Sequence, residues 1–371
     1  MHSNTHGLSV RIEPLRDRGR LSVQWKHLEA AARPAFFLSW TWIGTWLDTL
    51  AVAPWTVEVT RGEETVGLAC FELRTAVRRK FVRSRTLFLN ETGDPARDVV
   101  TLEYNRILCH PDCAQEAEDA ALAALMDARG RLWDELYVRN APPDFAARLE
   151  GLGLGVWQRL DAASAEMDLD AARAAGGVLE TMSRNTRHQI RRSMRLYEER
   201  NGPLALTRAG TVAEALDFFE RLGALHQPYW QARGKPGAFA HPHYLEMHRA
   251  LIARAMPAGE AEVVRVRAGE HEIGYLYNFV RDGRVYFYLS GLRYEDDAKL
   301  KPGLVTHAMC AADHLERGAH VYDFMAGENR YKTQLGQEAA PLVSLTLQRR
   351  RLVFWLERAA KGLRDRFRPR S

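Results

Sequence analysis

The chain has 371 residues, 46% hydrophobic and 27% charged, with a mean hydropathy of −0.35; this is the composition of a globular protein of two or three domains, not of a disordered or fibrous one. Four cysteines exclude a disulfide scaffold. The first dozen residues do not read as a secretory leader, and the most apolar window, Phe36 to Leu50, is short and carries Asp48, so the expectation is a soluble, cytoplasmic protein. The net charge of +5 is made at one end: residues 348–371 hold nine Lys/Arg and two acids, and the body before them has 43 basic and 45 acidic residues.

In chain order, Phe36, Phe37, Trp40, Trp42 and Trp46 predict a packed amphipathic helix. Residues 57–67 alternate as β-structure around a Gly-Glu turn, which predicts a hairpin. Residues 74–85 carry six bases and no acid. Cys109-His110-Pro111-Asp112-Cys113 looks like half of a metal site, but no second pair follows at zinc spacing. Residues 114–129 predict a helix stopped by Gly130, with a buried strand after it. The Ala-, Asp- and Gly-rich stretch 161–177 reads as an inter-domain link. In 183–200, Arg187, Arg191 and Arg195 share one helical face, and Ile190, Met194 and Tyr197 another.

Next come a strand (204–207), helices (212–225 and 241–256) and three strands (262–266, 273–280 and 285–291). A helix from Gly303 to Arg317 leads to a strand at Tyr322, and 342–347 reads as the last strand of this half. The basic tail predicts an amphipathic helix whose apolar stripe includes Leu352, Val353, Trp355, Leu356 and Leu363. Such a helix can dock on the body, lie on an anionic membrane or touch RNA.

The chain repeats itself. Gly62 and Gly67 in the first hairpin match Gly269 and Gly274 in a later one at the same spacing. Downstream, helix–Gly130–strand in the first half matches helix–Gly318–strand in the second. The pattern predicts a tandem duplication of one α/β unit. The two copies differ at one point. Lys299, Lys301, Pro302 and Gly303 open the second copy's helix, where free N–H groups and the positive dipole end make a chemically sound seat for a pyrophosphate. The first copy opens its helix with Asp112, Glu116, Glu118 and Asp119, which repel an anion.

Three motifs carry a family resemblance: residues 179–192 (LETMSRNTRHQIRR), residues 226–234 (HQPYWQARG, followed by Phe239) and residues 322–332 (YDFMAGENRYK). With them the second half resembles the GNAT acyltransferase fold, and within it the tandem-GNAT acetyltransferases of the CelD cellulose-biosynthesis type, relatives of the Fem-type peptidyltransferases. The resemblance implies an α/β (α+β) architecture of two tandem GNAT-like domains, each a mixed sheet flanked by helices. The expected domains are 1–170 (degenerate copy) and 171–348 (acyltransferase), followed by the basic helix 349–371. It implies transfer of an acyl group, acetyl first, from acyl-CoA to a small-molecule or sugar-linked amine, without a metal. Polysaccharide or envelope-precursor modification is the pathway it suggests.

Under that resemblance Lys299, Lys301, Pro302 and Gly303 hold the donor, and Leu289 and Ser290 lie on the strand that polarises its carbonyl. Asp323, Glu328 and Tyr288 are the candidate bases; Asp323 can equally cap a strand end, and Asp134 occupies the like position in the first copy. Lys332 is the candidate for neutralising developing negative charge, and Tyr331 lies beside it. Arg187 and Arg191 are candidates for an acceptor phosphate, and His226, Trp230 and Arg233 for the cleft wall. Two other readings stay open: an aminoacyl-tRNA-dependent peptidyltransferase that uses the basic clusters for tRNA, and a non-catalytic scaffold whose tail docks at a membrane surface.

Overall fold

The computed structural model describes residues 2–5, 7–78, 82–327 and 330–366. The chain divides into two compact units, Met1–Ala162 together with Pro341–Ser371, and Ala163–Ala340.

In the first unit, β1 (His2–Thr5), β2 (Leu8–Pro14), β3 (Trp55–Arg61), β4 (Glu64–Arg78) and β5 (Val82–Leu89) form an antiparallel run. The short β6 (Leu108–Cys109) pairs with β4. β7 (Glu135–Ala141) joins β5 in parallel, and residues 343–348 of β14 (Gln337–Gln348) pair antiparallel with β7. Four helices belong to this unit's N-terminal segment: α1 (Arg18–Ala32), α2 (Trp40–Asp48), α3 (Ala114–Ala128) and α4 (Pro143–Glu150). As expected, α2 buries Trp42 and Trp46. Alternating apolar residues supply the core: Val57, Val59, Leu87, Leu136 and Val138 meet Val343, Leu345 and Leu347.

The second unit has the sheet order β8-β13-β12-β11-β10-β9, formed by β8 (Gly155–Asp168, through residues 164–168), β9 (Leu204–Arg208), β10 (Ala261–Ala268), β11 (His271–Arg281), β12 (Arg284–Leu292) and β13 (Val321–Ala326). The β12–β13 pair is parallel and its other neighbours are antiparallel. Its helices are α5 (Leu169–Ala174), α6 (Arg184–Asn201), α7 (Val212–Gln231), α8 (Pro242–Ala255), α9 (Pro302–Glu316) and α10 (Arg330–Leu335). α11 (Leu352–Arg366) belongs to the first unit.

The duplication is visible in the fold. Strands β2, β3, β4, β5, β7 and β14 follow the same sequence of antiparallel and parallel steps as β9, β10, β11, β12, β13 and β8. The hairpin turns fall on Gly62 and Gly269, at φ +59 and +53, where a side chain would be strained. Gly67 faces Val59, and Gly274 faces Val266, at the same register position.

The strand that follows the parallel pair in each unit is exchanged. β14, from the end of the chain, completes the first unit, and β8, which precedes the second unit's other strands, completes the second. Residues 342–347 are thus a strand, but of the first unit and not of the second. The stretch 161–177 is not a linker either: it forms the end of β8 and then α5, and buries Ala165, Met167, Leu169 and Ala172. The unit boundaries therefore fall after Ala162 and Ala340, where the sequence suggested 170 and 348. α11 docks through Phe354 and Glu357, while Leu352, Trp355 and Leu356 of the expected stripe are 73%, 58% and 52% exposed; side chains from residue 360 onward lie outside the described residues. Among the described residues no helix is long and apolar enough to cross a membrane.

Candidate active site

The second unit opens along β12. This strand pairs with β13 at Arg284–Val321, Val285–Tyr322 and Tyr286–Asp323, and then runs on to Leu292 with no further ladder pair to β13 among the described residues. Tyr288 is the extra residue of a β-bulge, because Tyr277 pairs with Leu289 and Asn278 with Phe287. A strand that parts from its neighbour offers backbone hydrogen-bonding groups to an extended ligand. Leu289 and Ser290 lie on this stretch beyond the last pair with β13.

β12 leads to the start of α9. Lys301 occupies the N-cap, Pro302 the first helical position, and no acid lies in the first turn. Of the three acids in the preceding loop, Asp297 pairs with Arg200 at 2.5 Å and Glu295 with His271 at 2.8 Å, while Asp296 is exposed. Ser193 of α6 accepts the Lys301 backbone N–H at 2.9 Å and fixes the turn. A Cβ on Gly303 would meet only the Leu292 Cδ1 methyl, at 3.2 Å. The positive helix end, two lysines and an acid-free turn fit a diphosphate.

α7 lies against the same strand. A Cβ on Gly291 would stand 2.1 Å from the Leu222 carbonyl oxygen, so only glycine permits this approach. One turn on, His226 Nδ1 is 3.0 Å from the Ser290 carbonyl oxygen. A carbonyl only accepts, so Nδ1 carries the proton. Burial pushes this imidazole below its ordinary pKa, and the Ser290 bond offsets part of that. Trp230 and Phe239 flank the ring, each with its centroid 5.8 Å away.

Beyond them Tyr229 stacks on Tyr294 at 4.8 Å, and the Arg233 guanidinium lies 3.5 Å above the Tyr229 ring. Tyr331 of α10 stacks on His307 at 5.1 Å, and burial beside Tyr294 and Tyr229 pushes its phenol up. Burial, with the Lys332 charge nearby, pushes His307 down to about 3. The fold thus gathers His226, Trp230, Arg233 and Tyr331 around the far end of β12. Tyr294 was not singled out in the sequence, where it is one more aromatic in a charged loop.

The other candidates have structural partners. The buried Asp323 accepts the Met325 N–H at 2.7 Å through one oxygen and Arg284 Nη1 at 3.1 Å through the other. Met325 has φ +58, and Asp323 braces that turn. Lys332 is 4% exposed and donates to the carbonyls of Met325 and Ala326 at 3.1 and 2.7 Å, tying α10 to the end of β13. Glu328 lies outside the described residues. Tyr288 is half-buried, with its ring 4.9 Å from His248 and 5.1 Å from Phe279. Arg187 and Arg191 both bind Glu180, at 2.6 and 2.7 Å, which partly neutralises the expected phosphate grip.

Among the described residues one group has metal-ligand chemistry, the buried Glu262, Cys310 and His314. Glu262 already takes His314 at 2.6 Å, Arg208 at 2.7 Å and Arg317 at 3.1 Å. Burial alone would raise its carboxyl, yet His314, Arg208 and Asn278 hold it well below the usual range. Burial pushes the Cys310 thiol up. The set is a closed ion network and does not fit a cation.

The comparisons with known proteins agree with this layout. Residues 184–333 match the family model described as acetyltransferase (GNAT) domain. The second unit carries a GNAT domain. That GNAT match spans residues 287–292 of β12, the start of α9, and Tyr331 and Lys332. Over the whole chain the fold resembles three solved structures, each at 11% identity. One is the crystal structure of FemX, at TM-score 0.60, covering 94% of this chain and all of that one. Another is a conserved protein of unknown function from Bacteroides thetaiotaomicron, at 0.54, covering 92% and 100%. The third is the C-terminal domain of a putative lysylphosphatidylglycerol synthetase from Agrobacterium fabrum, at 0.51, covering 92% and 96%. No curated protein matches the chain.

Proposed function

We propose that the protein is an N-acyltransferase that moves an acyl group, acetyl first, from acyl-CoA to an amine of a small or sugar-linked acceptor. The observation that carries this reading is the run of β12 past its last ladder pair with β13 among the described residues, leading into the acid-free start of α9. The α9 N–H groups, Lys299 and Lys301 would take the diphosphate, and the backbone near Leu289 and Ser290 would orient the acyl carbonyl. The amine would approach from the side of His226, Trp230 and Arg233. Holding both reactants in one groove supplies much of the rate, because it removes the entropy of bringing them together. Asp323 and Lys332 shape the end of β13 in this reading.

The test is calorimetric titration of acetyl-CoA into the wild-type protein and Gly303→Glu. The substitution meets only a movable leucine methyl, so the fold should survive. A carboxylate at the helix start should weaken binding at least about tenfold. A wild-type protein that binds no acetyl-CoA overturns the reading. Capture of aminoacyl-tRNA that fades steeply with salt would then favour the peptidyltransferase alternative, and binding of neither donor the scaffold.

A further inference from the structure

We propose that His226 is the general base of this site and takes the proton of the attacking amine on Nε2; this rests on the acyltransferase reading above. The Ser290 carbonyl, 3.0 Å from Nδ1, fixes the tautomer, so the ring's lone pair is on Nε2. Nε2 has no hydrogen-bond partner among the described residues and is not among the buried unpartnered atoms, so it is open to a ligand. The residue as a whole is 8% exposed, which shields it from bulk water but leaves one nitrogen reachable.

Position favours the same role. Ser290 lies two residues beyond the Tyr288 bulge, on the strand that would orient the acyl carbonyl. From α7 the ring meets Trp230, and from the 3-10 turn Ala238–Ala240 it meets Phe239. Between these two elements the charged side chains are Arg233, over Tyr229, and Lys235, over Trp230, and neither bonds to the imidazole. Burial then keeps the ring neutral below the usual imidazole pKa. By contrast, Asp323 has both oxygens engaged, and His248 and His307 are wholly enclosed, at 0% and 1% exposure.

The step balances. The amine nitrogen bonds to the acyl carbon and gives one proton to Nε2. The carbon–sulfur bond breaks with its electron pair on sulfur. The imidazolium then returns its proton to the thiolate or to water, and the ring is neutral for the next turnover.

The test compares wild type, His226→Asn and His226→Gln. The Asn amide nitrogen can keep the Ser290 bond but cannot accept a proton. Thiol release from acetyl-CoA, with glucosamine as the amine probe, should lose at least about a hundredfold in kcat in both variants. Acetyl-CoA affinity and Tm of the Asn variant should stay close to wild type. The acid limb of the wild-type pH profile should lie below pH ~6.5 and vanish in the variants. A readout independent of turnover is nitrogen NMR of the ring in the ligand-free protein, which should show Nδ1 protonated and Nε2 bare at pH ~7. Near-wild-type kcat in His226→Asn, or a proton on Nε2 in the neutral ring, overturns this inference while leaving donor binding intact. Failure of the wild type to bind acetyl-CoA removes the acyltransferase reading and this one with it.

Discussion

The two units diverge where their parallel strands end. In the first, β5 stops at Leu89, one residue past its last pair with β7. Asn105 then stitches the gap: its side chain donates to the Leu89 carbonyl at 2.9 Å, and its N–H to the Asn140 carbonyl at 3.2 Å. Asn90 donates to the Asn105 side-chain oxygen at 3.0 Å and secures it. In the second unit β12 continues for residues 287–292 beyond the last pair, and no such stitch closes it among the described residues. The helix starts differ in parallel. α3 has Glu116 in its first turn and Glu118 locked to Arg106 and Arg148, where α9 has no acid. One sheet order thus supports a sealed wedge and an open one. Strand length and a few charges decide which, not topology.

The comparison also separates frame from chemistry. Asp134 accepts the Arg85 N–H at 3.1 Å and Arg349 at 2.7 Å, much as Asp323 accepts Met325 and Arg284. A carboxylate doing the same work in the sealed unit as in the open one belongs to the frame.

The largest effect should come from deleting residues 341–371. The first unit would lose buried Val343, Leu345 and Leu347, each worth about 1.5–3 kcal/mol, which approaches a domain's whole stability. Calorimetry should then show only the second unit's transition; two transitions as in the full chain would mean that the exchanged strand is dispensable. Next in size are Asp134→Asn and Asp323→Asn, expected to cost about 1–3 kcal/mol each by weakening charged hydrogen bonds. Turnover of folded Asp323→Asn should stay within about tenfold of wild type; lost turnover at unchanged Tm would return Asp323 to the reaction. The smallest effect should follow Glu116→Lys, which removes the repelling charge from α3 but leaves the Asn105 stitch. Acetyl-CoA should still bind at one site per chain, and a second site by calorimetry would show that charge alone had closed the first unit.

Much of the frame was legible because it is local. The turn glycines, the helix-stopping Gly130 and Gly318, and the alternating strands announce themselves within a few residues. The acid-free helix start at Gly303 was legible for the same reason. Strand exchange was not, because alternation at Val343, Leu345 and Leu347 says that a strand forms and not which edge it joins. Local signals end α7 at residue 225, before Pro228, but the helix runs on to Gln231; the contact of His226 with the Ser290 carbonyl is a long-range fact that the local signal does not carry. The tautomer of His226 depends on a carbonyl 64 positions away. Asp323 and Lys332 drew notice in the sequence because their motif is conspicuous, and the fold gives both to a tight turn.

The strand swap has a consequence for biosynthesis. As the chain leaves the ribosome, the half made first cannot be finished, because its last strand is encoded after everything in the other half. The later half has all its pieces once Ala340 has emerged. Maturation should therefore run against the order of synthesis, with β7 presenting a bare edge to the nascent-chain environment until β14 arrives.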